Sequence, residues 1–181
     1  IWDDLPYPMY NKTYYESDDM LLGISKQTVN LVKNVLKDKP KEDWAINYVP
    51  HGIDPKKFYP IKGGTEELAL KSFREKYLGE EEFNFVMLWN SRNIRRKNMS
   101  DIVLAWRTFL DQLPEAQAKK CCLLMKTEIS SEHGTDLNAV VKTFCNPEIH
   151  KVKFVTDRLD DKGMNYLYNC SDAHIFMTDN E

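Results

Sequence analysis

A short loop rich in arginine and lysine is the stretch whose residue types are best suited to chemistry. The loop covers residues 90–98 and holds three arginines and one lysine. A buried-strand pattern precedes it, and an amphipathic helix pattern that begins near Met99 follows it directly. The first turn of a helix offers unpaired backbone N–H groups and the positive end of its dipole, and arginine and lysine add charge-assisted hydrogen bonds. The arrangement therefore predicts a site for a phosphate group.

Strands and helices alternate from residue 83 onward, and this order positions the loop. The predicted strands cover residues 83–89, 121–125, 152–155 and 173–178. The predicted helices cover residues 99–113, 137–144 and 160–169. Such alternation predicts an α/β fold with a parallel sheet and right-handed crossovers. Because ligands of these sheets bind outside the carboxyl ends of the strands, we expect the site at residues 90–98, 126–135, 156–161 and 178–181.

The helix after the loop is predicted to turn its apolar side chains toward the core. These side chains are Ile102, Val103, Trp106, Phe109, Leu110 and Leu113. An earlier helix is predicted to start at Thr65, which would cap it, and to stop at Gly79. Trp89 is predicted to lie in the core together with Trp106.

The first part of the chain has a different pattern. Residues 1–16 are rich in Tyr, Pro and Asp and are predicted to be irregular. Apolar runs at residues 20–24 and 44–49 predict two strands that flank a helix with Ser25 as its N-cap. Proline and glycine then mark a domain boundary. The predicted organisation is the end of one domain in residues 1–46, a linker in 47–62 and a second domain in 63–181.

Composition disfavours several classes of protein. The net charge of −3 and the sequence pI of about 5.9 argue against binding to nucleic acid or to an anionic membrane. The sequence has no run of eighteen apolar residues and so predicts no transmembrane segment. The four cysteines lack the spacing of a metal site and are expected to be reduced, buried thiols of a cytosolic protein.

Four segments carry a resemblance to a known family, and they occur in that family's order. Residues 48–60 resemble an interdomain segment usually written Pro-Asn-Gly-Val-Asp and then Phe-x-Pro. Arg92 and Lys97 have the spacing of a Gly-Arg … Lys-Gly phosphate loop. Residues 158–172 resemble the segment beneath a nucleobase, and residues 172–181 resemble the strand that leads into a Glu-x7-Glu motif. Over about residues 17–181 the chain thus resembles retaining glycosyltransferases of the GT-B fold, family 4, which contain the glycosyl transferases group 1 domain.

The resemblance implies two Rossmann-like domains, the first for an acceptor and the second, incomplete here, for a UDP- or GDP-linked sugar. It implies sugar transfer with retention by front-face attack, without a metal ion and without a cofactor besides the donor. The residues that it assigns to catalysis are Arg92, Lys97 and Glu181. The residues that it assigns to donor binding are Gly52, Thr127, Arg158 and Leu159. The acceptor, whether glycan, lipid or protein, is left open, and the expected location is the cytoplasm, with peripheral membrane association as an alternative.

Departures from the family pattern and two other functions stay open at this point. Asn98 stands where the family usually has glycine, and Thr127 stands where a glycine-rich turn is common. The alternative functions are another GT-B enzyme, such as a nucleotide-sugar epimerase, and a non-enzymatic module that binds nucleic acid or a phosphorylated partner through residues 92–97. The abrupt ends of the sequence predict an interior part of a longer protein that is inactive by itself.

Overall fold

Two units of chain, residues 1–54 and 55–181, make up the structure. The structure is a computed structural model, and it describes residues 8–179. The division falls between Asp54 and Pro55, whereas the sequence predicts a linker over residues 47–62. The linker and the acceptor-side and donor-side roles of the two parts stay predictions.

The first unit is built from a pair of short parallel strands and two helices. Its elements are α1 (Lys12–Ser17), β1 (Leu21–Gly23), α2 (Lys26–Val35) and β2 (Ile46–Tyr48). Leu21 lies opposite Ile46 in the parallel pair, and Val32 of α2 packs against Ile46 in the core of this unit. The side chain of Leu22 points away from that core and is exposed, so only one face of β1 is buried.

One local prediction for the first unit is confirmed and another is wrong. Ser25 caps α2 as predicted, because its hydroxyl accepts the backbone N–H of Thr28 at 3.0 Å. The prediction that residues 1–16 are irregular is wrong for the part that the structure describes, since a 3-10 turn at Pro8–Asn11 leads into α1. Tyr15 of α1 packs against the apolar cluster beneath α2, which gives this helix a buried contact. Residues 1–7 lie outside the described part of the chain.

The second unit contains the predicted alternation of strands and helices. Its elements are α3 (Thr65–Leu78), β3 (Phe85–Asn90), α4 (Met99–Leu110), α5 (Glu115–Ala118), β4 (Cys121–Lys126), α6 (Leu137–Phe144), β5 (Lys151–Val155), α7 (Asp161–Asn169) and β6 (Ala173–His174). The four strands are parallel and lie in the order β5-β4-β3-β6. The predicted Rossmann-like parallel sheet is therefore confirmed. None of the helices within residues 8–179 is long and apolar enough to cross a membrane.

The sheet of the second unit is buried on both faces. Cys121 belongs to the apolar cluster that β4 forms with α4 and α6. Its neighbour Cys122 belongs to the opposite cluster, with Leu78 of α3 and Leu167 of α7. Successive strand residues point to opposite faces, so the two cysteines mark the two layers. Burial raises the pKa of the Cys122 thiol to about 12.

The helix after the loop is shorter than predicted, and one of its residues is misplaced by the sequence pattern. α4 ends at Leu110, so Leu113 lies beyond the helix, although it still packs against the core. Phe109 is 41% exposed and does not face inward as predicted. It lies at the edge of the apolar stripe, where its ring contacts those of Phe85 and Trp106. Trp106 itself is buried, as predicted.

Two further boundaries differ from the sequence predictions. Thr65 is the first helical residue of α3 and not its cap, because the capping position is Gly64, which has a φ of +79° and no side chain to offer. The last strand, β6, has two residues and does not extend to Thr178. The N–H of Asp179 donates to the carbonyl of Arg96 at 2.9 Å. Residues 175–179 therefore run beside the end of β3 and the loop that follows it without extending the strand.

Candidate functional site

The order of the strands creates a crevice at the carboxyl edge of the four-stranded sheet. From β3 the chain moves outward to β4 and β5, whereas β6 returns to the other side of β3. Ligands of open parallel sheets bind at such a reversal of direction. Residues 90–98, here called the cationic loop, leave β3 at this point, so the fold places the predicted phosphate loop where ligands bind.

The two cations singled out by the sequence have different environments in the cationic loop. Arg92 is exposed. Lys97 is the last residue of a 3-10 turn at Arg95–Lys97 and is only 6% exposed. Its ammonium lies 4.6 Å from the centroid of the Phe176 ring, a cation–π contact worth about 0.5–2 kcal/mol. Of these two cations, Arg92 is thus exposed and Lys97 is held in place by its surroundings.

The buried side-chain amide of Asn93 joins the cationic loop to the loop that follows β4. Asn93 is 1% exposed. Its Nδ2 donates to the carbonyls of Glu128 at 3.0 Å and Thr135 at 2.7 Å, and its Oδ1 accepts the N–H of Thr135 at 2.9 Å. A Cβ on Gly134 would come within 2.0 Å of Oδ1 of Asn93 and 2.4 Å of its carbonyl oxygen. Because Gly134 has no side chain, the loops after β3 and β4 can approach closely enough to form these hydrogen bonds.

Thr127 places a buried hydroxyl beside the cationic loop. It follows the last residue of β4, Lys126, which lies opposite Asn90 of β3 in the register of the sheet. Thr127 is 4% exposed, and its hydroxyl has no hydrogen-bond partner among the residues that the structure describes. A buried hydroxyl without a partner costs on the order of 1–3 kcal/mol. This predicted donor-binding residue thus keeps an unsatisfied polar atom at the carboxyl edge of the sheet.

Arg158 and Leu159 lie in the loop after β5, two strands away from β3. From the spacing of adjacent strands, the loop after β5 lies roughly 10 Å from the cationic loop that follows β3. Arg158 is exposed, whereas Leu159 is half-buried and packs against the apolar cluster of α3 and α7. With its side chain in the core, Leu159 can offer a ligand its backbone.

An ionic contact anchors the loop after β5 to the end of α3. Oδ2 of Asp157 accepts hydrogen bonds from Nζ of Lys76 at 2.7 Å and from the hydroxyl of Tyr77 at 2.7 Å. These bonds, first that from Lys76 and then that from Tyr77, lower the pKa of the Asp157 carboxyl. The same contact raises the pKa of Lys76, chiefly through its hydrogen bond to Asp157. The side chains of Lys76 and Asp157 are exposed, in contrast to the buried side chain of Asn93.

Gly52 and Glu181 are the two remaining predicted site residues. Gly52 is an exposed residue of the first unit, and a Cβ built on it would meet no atom within 4 Å. It does not belong to the glycines with positive φ, so its backbone does not require glycine. Glu181 lies outside the described residues. The second unit thus brings Arg92, Lys97, Thr127, Arg158 and Leu159 to one edge of its sheet.

A cavity beside the cationic loop is a poorer place for an anion. It measures about 240 Å³ and lies between the loop, the first turn of α4 and residues 134–135. Arg95 lines this cavity, but so does the acidic residue Asp101. Neither Arg92 nor Lys97 belongs to its lining. The phosphate-binding role of Arg92 and Lys97 stays a prediction.

Two asparagines of the cationic loop whose side chains bond to distant residues are absent from the predicted site residues. Asn93 and Asn98 are both asparagines in a polar loop, and nothing in their spacing announces their partners, which lie 35–81 positions away. A signal did exist for Asn98, since asparagine in place of glycine before a helix is compatible with positive φ. No signal of this kind exists for Asn93. Among residues 8–179, no group of three or more His, Cys, Asp or Glu side chains is placed to hold a metal ion.

Solved structures provide the likeness that sequence comparison does not. No protein-family model and no curated protein matches the sequence. A glycosyltransferase from Rickettsia africae superposes with a TM-score of 0.65 at 21% identity, over 98% of this chain and 43% of that protein. A trehalose-6-phosphate structure from E. coli, bound with UDP-2-fluoro glucose, gives 0.63 at 12% identity, over 98% and 44%. The trehalose 6-phosphate synthase from Burkholderia multivorans gives 0.65 at 9% identity, over 92% and 40%.

These likenesses concern the fold. The chain is a mixed α/β structure with parallel sheets of the GT-B type, like these neighbours. It spans about two fifths of the length of the solved structures it matches, from 40% to 44% in the three cases above.

Proposed function

We propose that the protein transfers a sugar from a UDP- or GDP-linked donor to a glycan, lipid or protein acceptor, with retention of anomeric configuration. The observation that carries the proposal is the position of Lys97, a nearly buried cation at the carboxyl end of the interior strand β3 and just ahead of α4. The likeness to a glycosyltransferase and to a protein bound with a UDP-sugar supports it.

Charge on the leaving group is the problem that this site would solve. As the bond between the sugar and the nucleoside diphosphate breaks, negative charge grows on the phosphate. Lys97 and Arg92 stabilise that charge in the proposed reaction, and the N-terminus of α4 contributes its backbone dipole. Removal of one such group typically raises the barrier by about 2–4 kcal/mol. With these groups in place, the proposed reaction needs no metal ion.

The remaining steps follow from the resemblance. The acceptor hydroxyl attacks from the face that the nucleotide leaves, a bond forms between the acceptor oxygen and the anomeric carbon, and the departing phosphate oxygen takes the acceptor's proton. Glu181 binds hydroxyl groups of the donor sugar. The hydroxyl of Thr127 binds the donor, and the backbone at Arg158 and Leu159 contacts the nucleobase. Gly52 is assigned to donor binding by the same resemblance.

Calorimetric titration of the full-length protein with UDP-glucose and GDP-glucose tests the proposal. Arg92→Ala and Lys97→Ala are each expected to weaken binding of the preferred donor at least about tenfold, because a charge-assisted hydrogen bond to phosphate is lost. Lys142→Ala, which removes an exposed lysine of α6, is the charge-matched control and should change binding less than twofold. Arg95→Ala tests whether the position of the charge matters within the loop.

Several results would contradict the proposal. Unchanged donor affinity in both the Arg92 and the Lys97 variant would remove its basis. Equal weakening by Lys142→Ala would indicate unspecific attraction of an anion. Salt-sensitive binding of RNA without binding of either nucleotide-sugar would favour the non-enzymatic alternative. A location in the cytoplasm is part of the proposal and is checked by fractionation.

A further inference from the structure

Lys126 brings a further cation to the carboxyl edge of the four-stranded sheet. It is the last residue of β4, which lies between β5 and β3 in the interior of the sheet. The five residues of β4 before it are all buried, and Lys126 itself is half-buried. Lysines that lose contact with water are usually paired with an acidic group, so the surroundings of this ammonium are informative.

The face of the sheet on which Lys126 lies is the one covered by α3 and α7. Cys122 and Leu124, four and two positions earlier in β4, belong to the apolar cluster of that face, and alternate residues of a strand share a face. The cationic loop leads into α4, which covers the opposite face. Lys126 and the cationic loop therefore belong to the same edge of the sheet and to opposite faces of it.

The ammonium of Lys126 has no hydrogen bond and no ion pair among the residues that the structure describes. The carboxylate of Asp157 is held by Lys76 and Tyr77, whose hydrogen bonds are the main cause of its lowered pKa. The charge of Lys126 adds a smaller lowering of the same pKa. Lys126 is thus close enough to Asp157 to be felt, but Asp157 takes its hydrogen bonds from other groups.

Two lysines of the neighbouring strand β5 provide a contrast. Nζ of Lys151 lies 3.4 Å from Oε1 of Glu81, and Nζ of Lys153 lies 3.9 Å from Oε2 of the same side chain. Lys153 is opposite Leu124 in the register of the sheet and so lies on the same face as Lys126. The described part of the chain supplies a carboxylate to the lysines of β5 and not to Lys126, whose ammonium is therefore available to an anionic ligand.

The order of the strands indicates which part of the donor this ammonium would meet. Adjacent strands are about 5 Å apart, so the end of β4 lies between the cationic loop after β3 and the loop after β5. In the proposed function the cationic loop binds the diphosphate and the backbone at Arg158 and Leu159 contacts the nucleobase. The part of a nucleoside diphosphate between these two ends is the ribose with its α-phosphate. Of these two groups only the α-phosphate is charged, and it accepts charge-assisted hydrogen bonds from an ammonium group.

We propose that Lys126 binds the α-phosphate of the donor nucleotide from the side of α3 and α7. The inference rests on the proposed function and adds to the donor site a cation outside the cationic loop. The α-phosphate keeps its charge while the bond to the sugar breaks, so Lys126 stabilises the bound donor and the transition state about equally. Its contribution is therefore measurable as affinity for every ligand that carries an α-phosphate.

Calorimetric titration of the full-length protein with UMP, UDP and UDP-glucose tests this inference, or with the guanine nucleotides if the wild type prefers them. Lys126→Met keeps the apolar stem and removes the charge. It is expected to weaken all three ligands by a similar factor of about tenfold, because one charge-assisted hydrogen bond to phosphate is lost. Lys126→Arg keeps the charge and should retain most of the affinity. Lys153→Met removes a lysine from the same face of the next strand and, as the matched control, should leave all three affinities unchanged.

The pattern across ligands separates the α-phosphate from other contacts. Weaker binding of UDP and UDP-glucose with unchanged binding of UMP would assign Lys126 to the second phosphate or the sugar and overturn the inference. An equal loss of affinity for uridine would indicate a contact with the ribose or the base and would also overturn it. UMP and uridine are measured by displacement of UDP if their direct heats are small. Thermal melting verifies that each variant is folded, and Lys126→Gln replaces Lys126→Met if that variant melts early.

Failure of this inference and failure of the proposed function are distinguishable. If Lys97→Ala weakens UDP-glucose binding, yet Lys126→Met binds all three ligands as the wild type does, the role of Lys126 is wrong and the proposed function stands. If the wild type binds neither UDP-glucose nor GDP-glucose, both proposals are wrong.

Discussion

Two asparagines of the cationic loop, Asn93 and Asn98, bond to neighbouring segments through their side-chain amides, and these two amides have different surroundings. Asn93 is 1% exposed and bonds only to backbone groups of the neighbouring loop. Asn98 is half-buried and bonds to the side chain of Asp179, which is exposed. A buried polar group that loses its partner costs much more than one that water can reach. The comparison indicates that Asn93 determines the shape of the loop, whereas Asn98 can be changed without unfolding it.

The largest effect is expected from Gly134→Ala, which attacks the buried side of the comparison. The new Cβ would come within 2.4 Å of the Asn93 carbonyl oxygen and closer still to Oδ1, so the backbone must move and the Asn93 bonds are disturbed. We expect the free energy of unfolding to fall by about 3–4 kcal/mol, measured by urea denaturation. Gly52→Ala, where a Cβ meets nothing within 4 Å, is the matched control for stability. Equal stability of the two variants would show that the loops are not locked at Gly134.

Asn93→Ala and Asn98→Gly compare the two amides directly. Asn93→Ala leaves two carbonyls and an N–H buried without their partner, and we expect it to lower the free energy of unfolding by about 2–3 kcal/mol. Asn98→Gly should lower it by less than about 1 kcal/mol, because glycine accepts the backbone conformation and water reaches the freed groups. Urea denaturation of both variants measures the difference. If Asn98→Gly proves as destabilising as Asn93→Ala, the distinction between a buried brace and an exposed contact is wrong.

The smallest effect concerns the exposed contact between Asp157, Lys76 and Tyr77, and it depends on pH. Hydrogen bonds from Lys76 and Tyr77 lower the pKa of Asp157 in the folded state. A lowered pKa stabilises the fold above the unfolded value of about 3.9 and ceases to do so as the pH falls through the folded value. Asp157→Asn should therefore be slightly less stable than the wild type at pH 7, and the difference should be smaller at pH 3, below the unfolded value. Urea midpoints at both pH values measure this, and a difference that grows toward acid pH would contradict it.

Periodic patterns predicted the scaffold of the second unit well, because burial is a local property of strands and helices. The alternation at Cys121 and Cys122 and the stripe through Ile102 and Trp106 both follow from which faces are buried. The sequence predictions fail where a residue distant in the sequence determines the local structure, or where a residue lies at the edge of an apolar stripe. The last strand ends at His174, and the N–H of Asp179 then bonds to the loop after β3. Phe109 lies at the margin of its apolar stripe, where periodicity does not separate buried from exposed positions.

The position of Arg92 and Lys97 at the carboxyl edge of the sheet could be predicted from the sequence, whereas the side chains that support the loop could not. The spacing of Arg92 and Lys97 can be seen directly in the sequence. The brace at Asn93 depends on Thr135, 42 residues later, and on a glycine that permits close approach. Contacts of this kind exist only once the loops of two neighbouring strands meet, and no pattern within either loop announces them.

The adjacent thiols of β4 give the molecule a built-in pair of reporters. Cys121 and Cys122 are neighbours in sequence, yet one is covered by the α4 and α6 layer and the other by the α3 and α7 layer. Burial raises the pKa of both thiols, so each stays protonated and shielded while its own layer is closed. An alkylating reagent that modifies one of them before the other would therefore record which helical layer opens first, with no cysteine introduced by mutation.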